Sequence, residues 1–290
     1  MEGTVDGFRY GAVTPVAAYV MACLGGALGL RCIVRSLLDE RPWRLGWLAL
    51  GAASICCGIW TMHFIAMIGF HVEETRIRYD TSLTLLSLLV AVLVVGVGVF
   101  LVGVGGAQRR TLLVAGSVTG LGVAAMHYLG MAAMRLNGEI GYDVLTVALS
   151  AVIAVGAATA ALWAAVTVRG FLPSLAASLV MGLAVSGMHY TAMSAVHVHV
   201  HKTIAPTWNG NSPAALMLPM LLGPLVFLLL AGVVVMFDPL LVLGEGDWNR
   251  TSARRPANAA RERARTHPDP PGHHARVRPH PRPRPRPRDW

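Results

Sequence analysis

The stretch from Gly51 to Phe70, GAASICCGIWTMHFIAMIGF, contains no acidic residue, lysine or arginine, and holds one histidine, His63. A helix needs about 20 mostly apolar residues to cross a bilayer, so this stretch reads as a membrane span with a single imidazole inside it. Six more runs of similar character accompany it. The full set is Val13–Ile33, Leu45–Phe70, Thr81–Gly105, Thr111–Met134, Val144–Val168, Leu172–Val196 and Ala214–Phe237. With 54% hydrophobic and 13% charged residues in 290, the chain is too apolar for a soluble domain of its size. The expected fold class is an all-α integral membrane protein of about seven transmembrane helices.

The first six residues, Met-Glu-Gly-Thr-Val-Asp, lack the basic segment that opens a secretory signal peptide, so the first run is expected to stay as a helix of the bundle. Cys23, Cys32, Cys56 and Cys57 all fall within or beside spans, where a thiol packs as a small apolar group. No Cys-x-x-Cys occurs, which removes zinc-ribbon and thioredoxin-like chemistry. The glycines of Gly96–Gly106 lie inside an apolar span without the lysine of a phosphate loop. Gly25 with Gly29, and Gly116 with Gly120, offer small-residue faces for close helix packing.

Loop charge sets orientation. Arg31, Arg35, Arg41, Arg44, Arg109, Arg110 and Arg169 follow the first, third and fifth spans. The other side holds Arg9, Arg76, Arg78, Arg135 and Lys202, mixed with Glu2, Asp6, Glu73, Glu74, Asp80, Glu139 and Asp143. An outside N-terminus, with residues 1–12 extracytoplasmic, and a cytoplasmic C-terminus follow. Residues 244–290 carry 12 of the 24 basic residues against five acidic ones, with Arg-Pro alternation up to Arg288. This composition has little to bury and is expected to form a disordered cytoplasmic tail. Such a tail can lie on anionic lipid at about 1 kcal/mol per basic residue near the surface, or simply reinforce topology. No aromatic residues interleave with its arginines, which speaks against nucleic acid as a partner.

Self-similarity then appears. Met62-His63-Phe64-Ile65-Ala66-Met67, Met126-His127-Tyr128-Leu129-Gly130-Met131 and Met188-His189-Tyr190-Thr191-Ala192-Met193 share the pattern Met-His-aromatic-x-small-Met. The histidines are 64 and 62 residues apart, one helical hairpin per copy. Three tandem two-helix repeats, about 13–70, 81–134 and 144–196, plus an extra helix at 214–237, make up a membrane domain spanning 13–243. Each motif lies far along an even-numbered span, so all three are expected at one depth near the outer face. His71, His197, His199 and His201 belong to the same side, and the spacing by two of the last three suits either metal capture or a polar loop.

On a helix, residues four apart share a face. His63 with Met67, His127 with Met131, and His189 with Met193 therefore each present an imidazole beside a thioether. A soft sulfur paired with imidazole suits copper, Cu(I) in particular, far better than calcium or magnesium. Met62, Met126 and Met188 point about 100° away and line a neighbouring groove. The plainer alternative is core packing, yet ionisable residues retained within a membrane are costly and usually functional. Cys56 shares the face of Trp60, His63 and Met67 and reads as core.

With its third copy reading Met-His-Tyr-Thr, the body resembles the bacterial MHYT integral membrane sensor domain over roughly residues 10–240. The resemblance implies paired-helix repeats in the bacterial cytoplasmic membrane and copper held at the motifs. It also implies sensing of oxygen, carbon monoxide or nitric oxide. Carried over by position, the ligands are His63, His127 and His189, accompanied by Met62, Met126, Met188, Met67, Met131 and Met193. Phe64-Ile65 and Tyr128-Leu129 depart from the Tyr-Thr of the pattern and remove one aromatic hydroxyl, at Phe64. Relatives of this kind often continue into a diguanylate cyclase or phosphodiesterase. Here a low-complexity tail follows the seventh span, so no enzymatic output is expected and an unknown cytoplasmic signalling partner is implied. Two other uses of the same ligands are a haem- or copper-bearing redox subunit, with haem the less favoured cofactor, and a copper-handling or transport protein.

Overall fold

Two apolar spans joined by a short turn fold back on each other, and the chain repeats this three times. In a computed structural model, which describes residues 2–38, 43–168, 170–200 and 213–238, each unit runs strand, helix, helix, strand. The first is β1 (Val5–Asp6), α1 (Val13–Leu38), α2 (Trp43–Ile68) and β2 (His71–Val72). The second is β3 (Arg78–Tyr79), α3 (Thr81–Gly105), α4 (Arg109–Ala132) and β4 (Met134–Arg135). The third is β5 (Gly138–Tyr142), α5 (Val144–Thr167), α6 (Phe171–Ser194) and β6 (Val196–Val200). A seventh helix, α7 (Pro213–Met236), continues through Pro219 and Pro224.

All seven helices contain stretches of 20 to 26 residues that are long and apolar enough to cross a membrane. The chain thus has the span pattern of a multi-pass membrane protein. Most helix ends fall within two residues of the expected spans, while α1 runs on past Ile33 to Leu38. The short strands are a departure from the all-α expectation. Within each unit they pair antiparallel, matching Val5 with Val72, Arg78 with Arg135, and Gly138 with Val200. The strands of the first two ribbons, two residues each, leave no alternation long enough to register in a periodicity reading, whereas Val196–Val200 does alternate valine with histidine. Asp80 and Asp143 cap α3 and α5 by accepting the N–H groups of Leu83 and Thr146. Their own N–H groups bond to the carbonyls of Ala133 and Ala195, just past α4 and α6. In the second and third units the ribbon thereby ties the start of the odd helix to the end of the even one.

The six repeat helices close into a ring. α1 packs on α2, α2 on α3, α3 on α4, α4 on α5, α5 on α6, and α6 returns to α1. α7 lies against α2 and α1. Glycine permits the closest crossings, as the small-residue faces suggested. A Cβ on Gly25 would lie 2.6 Å from the Cα of Gly58, and one on Gly120 would lie 2.6 Å from the nitrogen of Val155. Outward faces stay apolar, as at Leu93, Val152 and Leu229, which suits hydrocarbon around them. The tail from residue 244 onward, Arg41, Arg169, His201 and Lys202 lie outside the described residues.

Candidate metal centre

Each motif histidine stands five residues before the end of its helix, at Ile68, Ala132 or Ser194. Equal placement on α2, α4 and α6, combined with closure of the ring, brings all three to one point. Their Nδ1 atoms form a triangle with every side 3.2 Å. The residues are 1%, 1% and 2% exposed. Among the described residues this is the one group of three histidine, cysteine or acidic side chains spaced to hold a metal ion.

The triangle has the dimensions of a facial tris-imidazole site. His63, His127 and His189 would each supply one nitrogen to a bound ion, and their spacing suits metal–nitrogen bonds of about 2.0–2.1 Å. An ion held by three imidazoles would have a remaining coordination position for a small ligand. Three nitrogens this close together fit one shared ion, whereas two Nδ1 atoms on opposite sides of one metal would be ~4 Å apart.

Hydrogen bonding alone cannot satisfy the triad. Each Nδ1 carries either a proton or a lone pair, and among three mutual neighbours at least one pair must then face like with like. Nor does moving the protons outward relieve this, because the Nε2 atoms of His63 and His127 are buried without a hydrogen-bond partner. In that arrangement three lone pairs converge, which a bound cation resolves.

The nine motif residues all lie at this end of the bundle. Met62, Met67, Met126, Met131 and Met188 are buried, and Met193 is partly buried against the core. Where the sequence suggests three local imidazole–thioether pairs, the tertiary structure joins the three imidazoles into one shared centre. Cys56 is buried in the core as read. His197 and His199 stand exposed on β6, which is a paired strand rather than a loop.

Hydrogen bonds beside the first two motifs tie each to the next repeat. The Tyr128 hydroxyl bonds to Ser150 Oγ at 2.8 Å, and that Oγ donates to the Val147 carbonyl, linking the second motif to α5. In the first motif, where Phe64 lacks a hydroxyl, Trp60 Nε1 donates instead to Ser87 Oγ at 3.1 Å. Ser87 and Ser150 each lie seven residues after a capping aspartate, Asp80 or Asp143. The signal was legible as a repeated Asp-x5-Leu-Ser, but sequence reading centred on histidine and methionine passed over it. Tyr190, in the third motif, stacks on Phe8 with centroids 5.7 Å apart.

A closed ring of six helices, each long and apolar enough to cross a membrane, around a buried histidine triad defines a membrane-type helical bundle with a candidate metal centre. The chain belongs to the MHYT family, described as "Bacterial signalling protein N terminal repeat", which matches residues 57–116 and 120–178. It is 39% identical over 191 residues to the bifunctional diguanylate cyclase/cyclic di-GMP phosphodiesterase MucR of Pseudomonas aeruginosa, covering 64% of this chain and 28% of that protein. It is 37% identical over 213 residues to the cyclic di-GMP phosphodiesterase NbdA of the same species, covering 69% and 27%. The signaling protein YkoW of Bacillus subtilis is 31% identical over 198 residues, covering 64% and 24%. The chain thus spans roughly a quarter of the length of the curated relatives it matches. No solved structure gives a significant match.

Proposed function

We propose that this chain is a metal-based sensor of the bacterial cytoplasmic membrane, holding copper through His63, His127 and His189. The convergence of three Nδ1 atoms at 3.2 Å carries the reading. Imidazole alone also suits zinc, iron or nickel, and the six methionines that recur with the histidines in the sequence motifs favour copper. An open fourth position is where oxygen, carbon monoxide or nitric oxide would bind. The loop charges favour an outside N-terminus and a cytoplasmic C-terminus, which sets the centre near the outer face. The chain itself performs no catalysis in this reading; it passes a signal to a cytoplasmic partner, as its likeness to part of MucR and NbdA suggests. Sensing is favoured over transport because the cavity beside the triad is lined by apolar side chains with one polar exception, Thr119, whereas a transported ion needs polar groups through the membrane depth.

The test is reconstitution of purified protein with Cu(I) under reducing conditions, with copper, zinc, iron and haem assayed together. One copper per chain, lost in His63→Ala, His127→Ala and His189→Ala, is the expected result. Folded wild-type protein that retains no copper would overturn the assignment.

A further inference from the structure

One helical turn from the triad, on the side away from the ribbons, lies a cavity of about 40 Å³. Its walls follow the repeat. Ile59, Val123 and Val185 line it four residues before His63, His127 and His189, and Ile55, Thr119 and Met181 line it eight residues before them. The cavity therefore sits on the central axis of the ring, beginning one helical turn, ~6 Å, from the imidazoles. α5 closes its flank largely with alanines, including Ala157, Ala158 and Ala161, while Val152 and Trp163 of that helix point outward.

The lining decides what the cavity accepts. A buried water requires two to four polar partners and room of roughly 10–15 Å³. The room is ample here, but the partners are missing: Thr119 supplies the one polar side chain, and its Oγ1 is buried without a hydrogen bond. Dry cavities of this type take up small apolar molecules instead. Nonpolar gases concentrate in hydrocarbon relative to water, and the lining alanines of α5, Ala157, Ala158 and Ala161, are themselves partly exposed on the outside of the bundle.

We propose that this cavity is a binding site for one nonpolar molecule of diatomic or noble-gas size, entering from the bilayer interior past α5 and held next to the triad. The site itself is independent of any metal. Its role as the antechamber to the fourth coordination position rests on the sensor reading above.

The probe is xenon, followed by 129Xe NMR on metal-free protein in detergent. Wild type should show one saturable site per chain. Ala158→Leu, which places three more carbons into the space, should abolish it, and Val185→Ala, which enlarges it, should raise xenon occupancy severalfold. Val185→Ala keeps the test decisive should Ala158→Leu fail to fold. Xenon behaviour that is unsaturable, or that is the same in wild type and folded variants, would overturn the proposal. Copper stoichiometry is measured in parallel, so that absence of copper with an intact xenon site removes the sensor reading alone. In copper-loaded protein, Ala158→Leu should leave copper stoichiometry unchanged and slow carbon monoxide association at least tenfold. An unchanged rate would remove the antechamber role.

Discussion

Gly130 of the second motif lies against His63 of the first, so closely that a Cβ at position 130 would sit 2.5 Å from the His63 Nε2 atom and 3.4 Å from the ring of Phe64. The small residue of one motif therefore makes room for the imidazole of another. Its place in the pattern comes from the neighbouring helix rather than its own.

Gly130→Leu should push the His63 ring away from the triangle. Copper affinity is expected to fall roughly 10–100-fold, the usual loss when the support of a metal ligand is disturbed. Competition with a chelating dye measures it. Unchanged affinity would show that the imidazole tolerates displacement and that the close contact is incidental.

The Tyr128–Ser150 bond should report as a coupling in a double-mutant cycle of Tyr128→Phe and Ser150→Ala. Side-chain hydrogen bonds inside membranes average roughly 0.6 kcal/mol by this method. The pair Trp60 and Ser87 should give a similar value despite its different chemistry. Thermal unfolding in detergent is the measurement, and additive single effects would show that the bonds do not link the repeats energetically.

Arg35 and Asp238 join the ends of α1 and α7 at 3.0 Å, with side chains 12% and 11% exposed, and the Arg35 guanidinium also lies over Trp47 of α2. Losing one partner of a buried pair costs about 3 kcal/mol or somewhat more, and residual exposure here lowers that figure. Arg35→Ala should therefore loosen α7 from the first repeat, seen as faster proteolysis near Asp238. The swap Arg35→Asp with Asp238→Arg should restore part of the protection. Equal cleavage rates in all forms would argue against a latch at this end.

Acid should act on the ribbon end of the bundle. The Leu83 N–H and then Arg135 hold the Asp80 carboxyl below its ordinary value, while the hydroxyl and N–H of Thr146 do the same for Asp143. A carboxylate whose folded pKa is depressed contributes stability that is fully present above its unfolded pKa of about 4 and is lost as pH falls toward and through the folded value. Melting temperature should thus decline below about pH 4 in wild type. Asp80→Asn with Asp143→Asn, which keep capping oxygens but cannot titrate, should flatten that decline. An unaltered acid limb would place the sensitivity elsewhere.

Hydropathy, the tandem motif and the small-residue faces are properties of short windows, which is why the seven spans, the three repeats and the crossing at Gly25 could be read along the chain. His63, His127 and His189 were legible as candidate ligands for the same reason, since an imidazole in an apolar span is costly wherever it points. What windows cannot carry is closure. Packing of α6 back on α1 turns three equivalent depths into one triangle, and no spacing along the chain encodes a distance between helices 62 to 64 residues apart. The exchange of Tyr128 for Trp60 as partner to an equivalent serine, the fit of Gly130 to His63, and the apolar space among Ile59, Val123 and Val185 arise in the same way. Sequence alone determined which residues enter the membrane and which recur; the tertiary structure decided that they meet, because contact between distant segments is settled by packing of the whole ring.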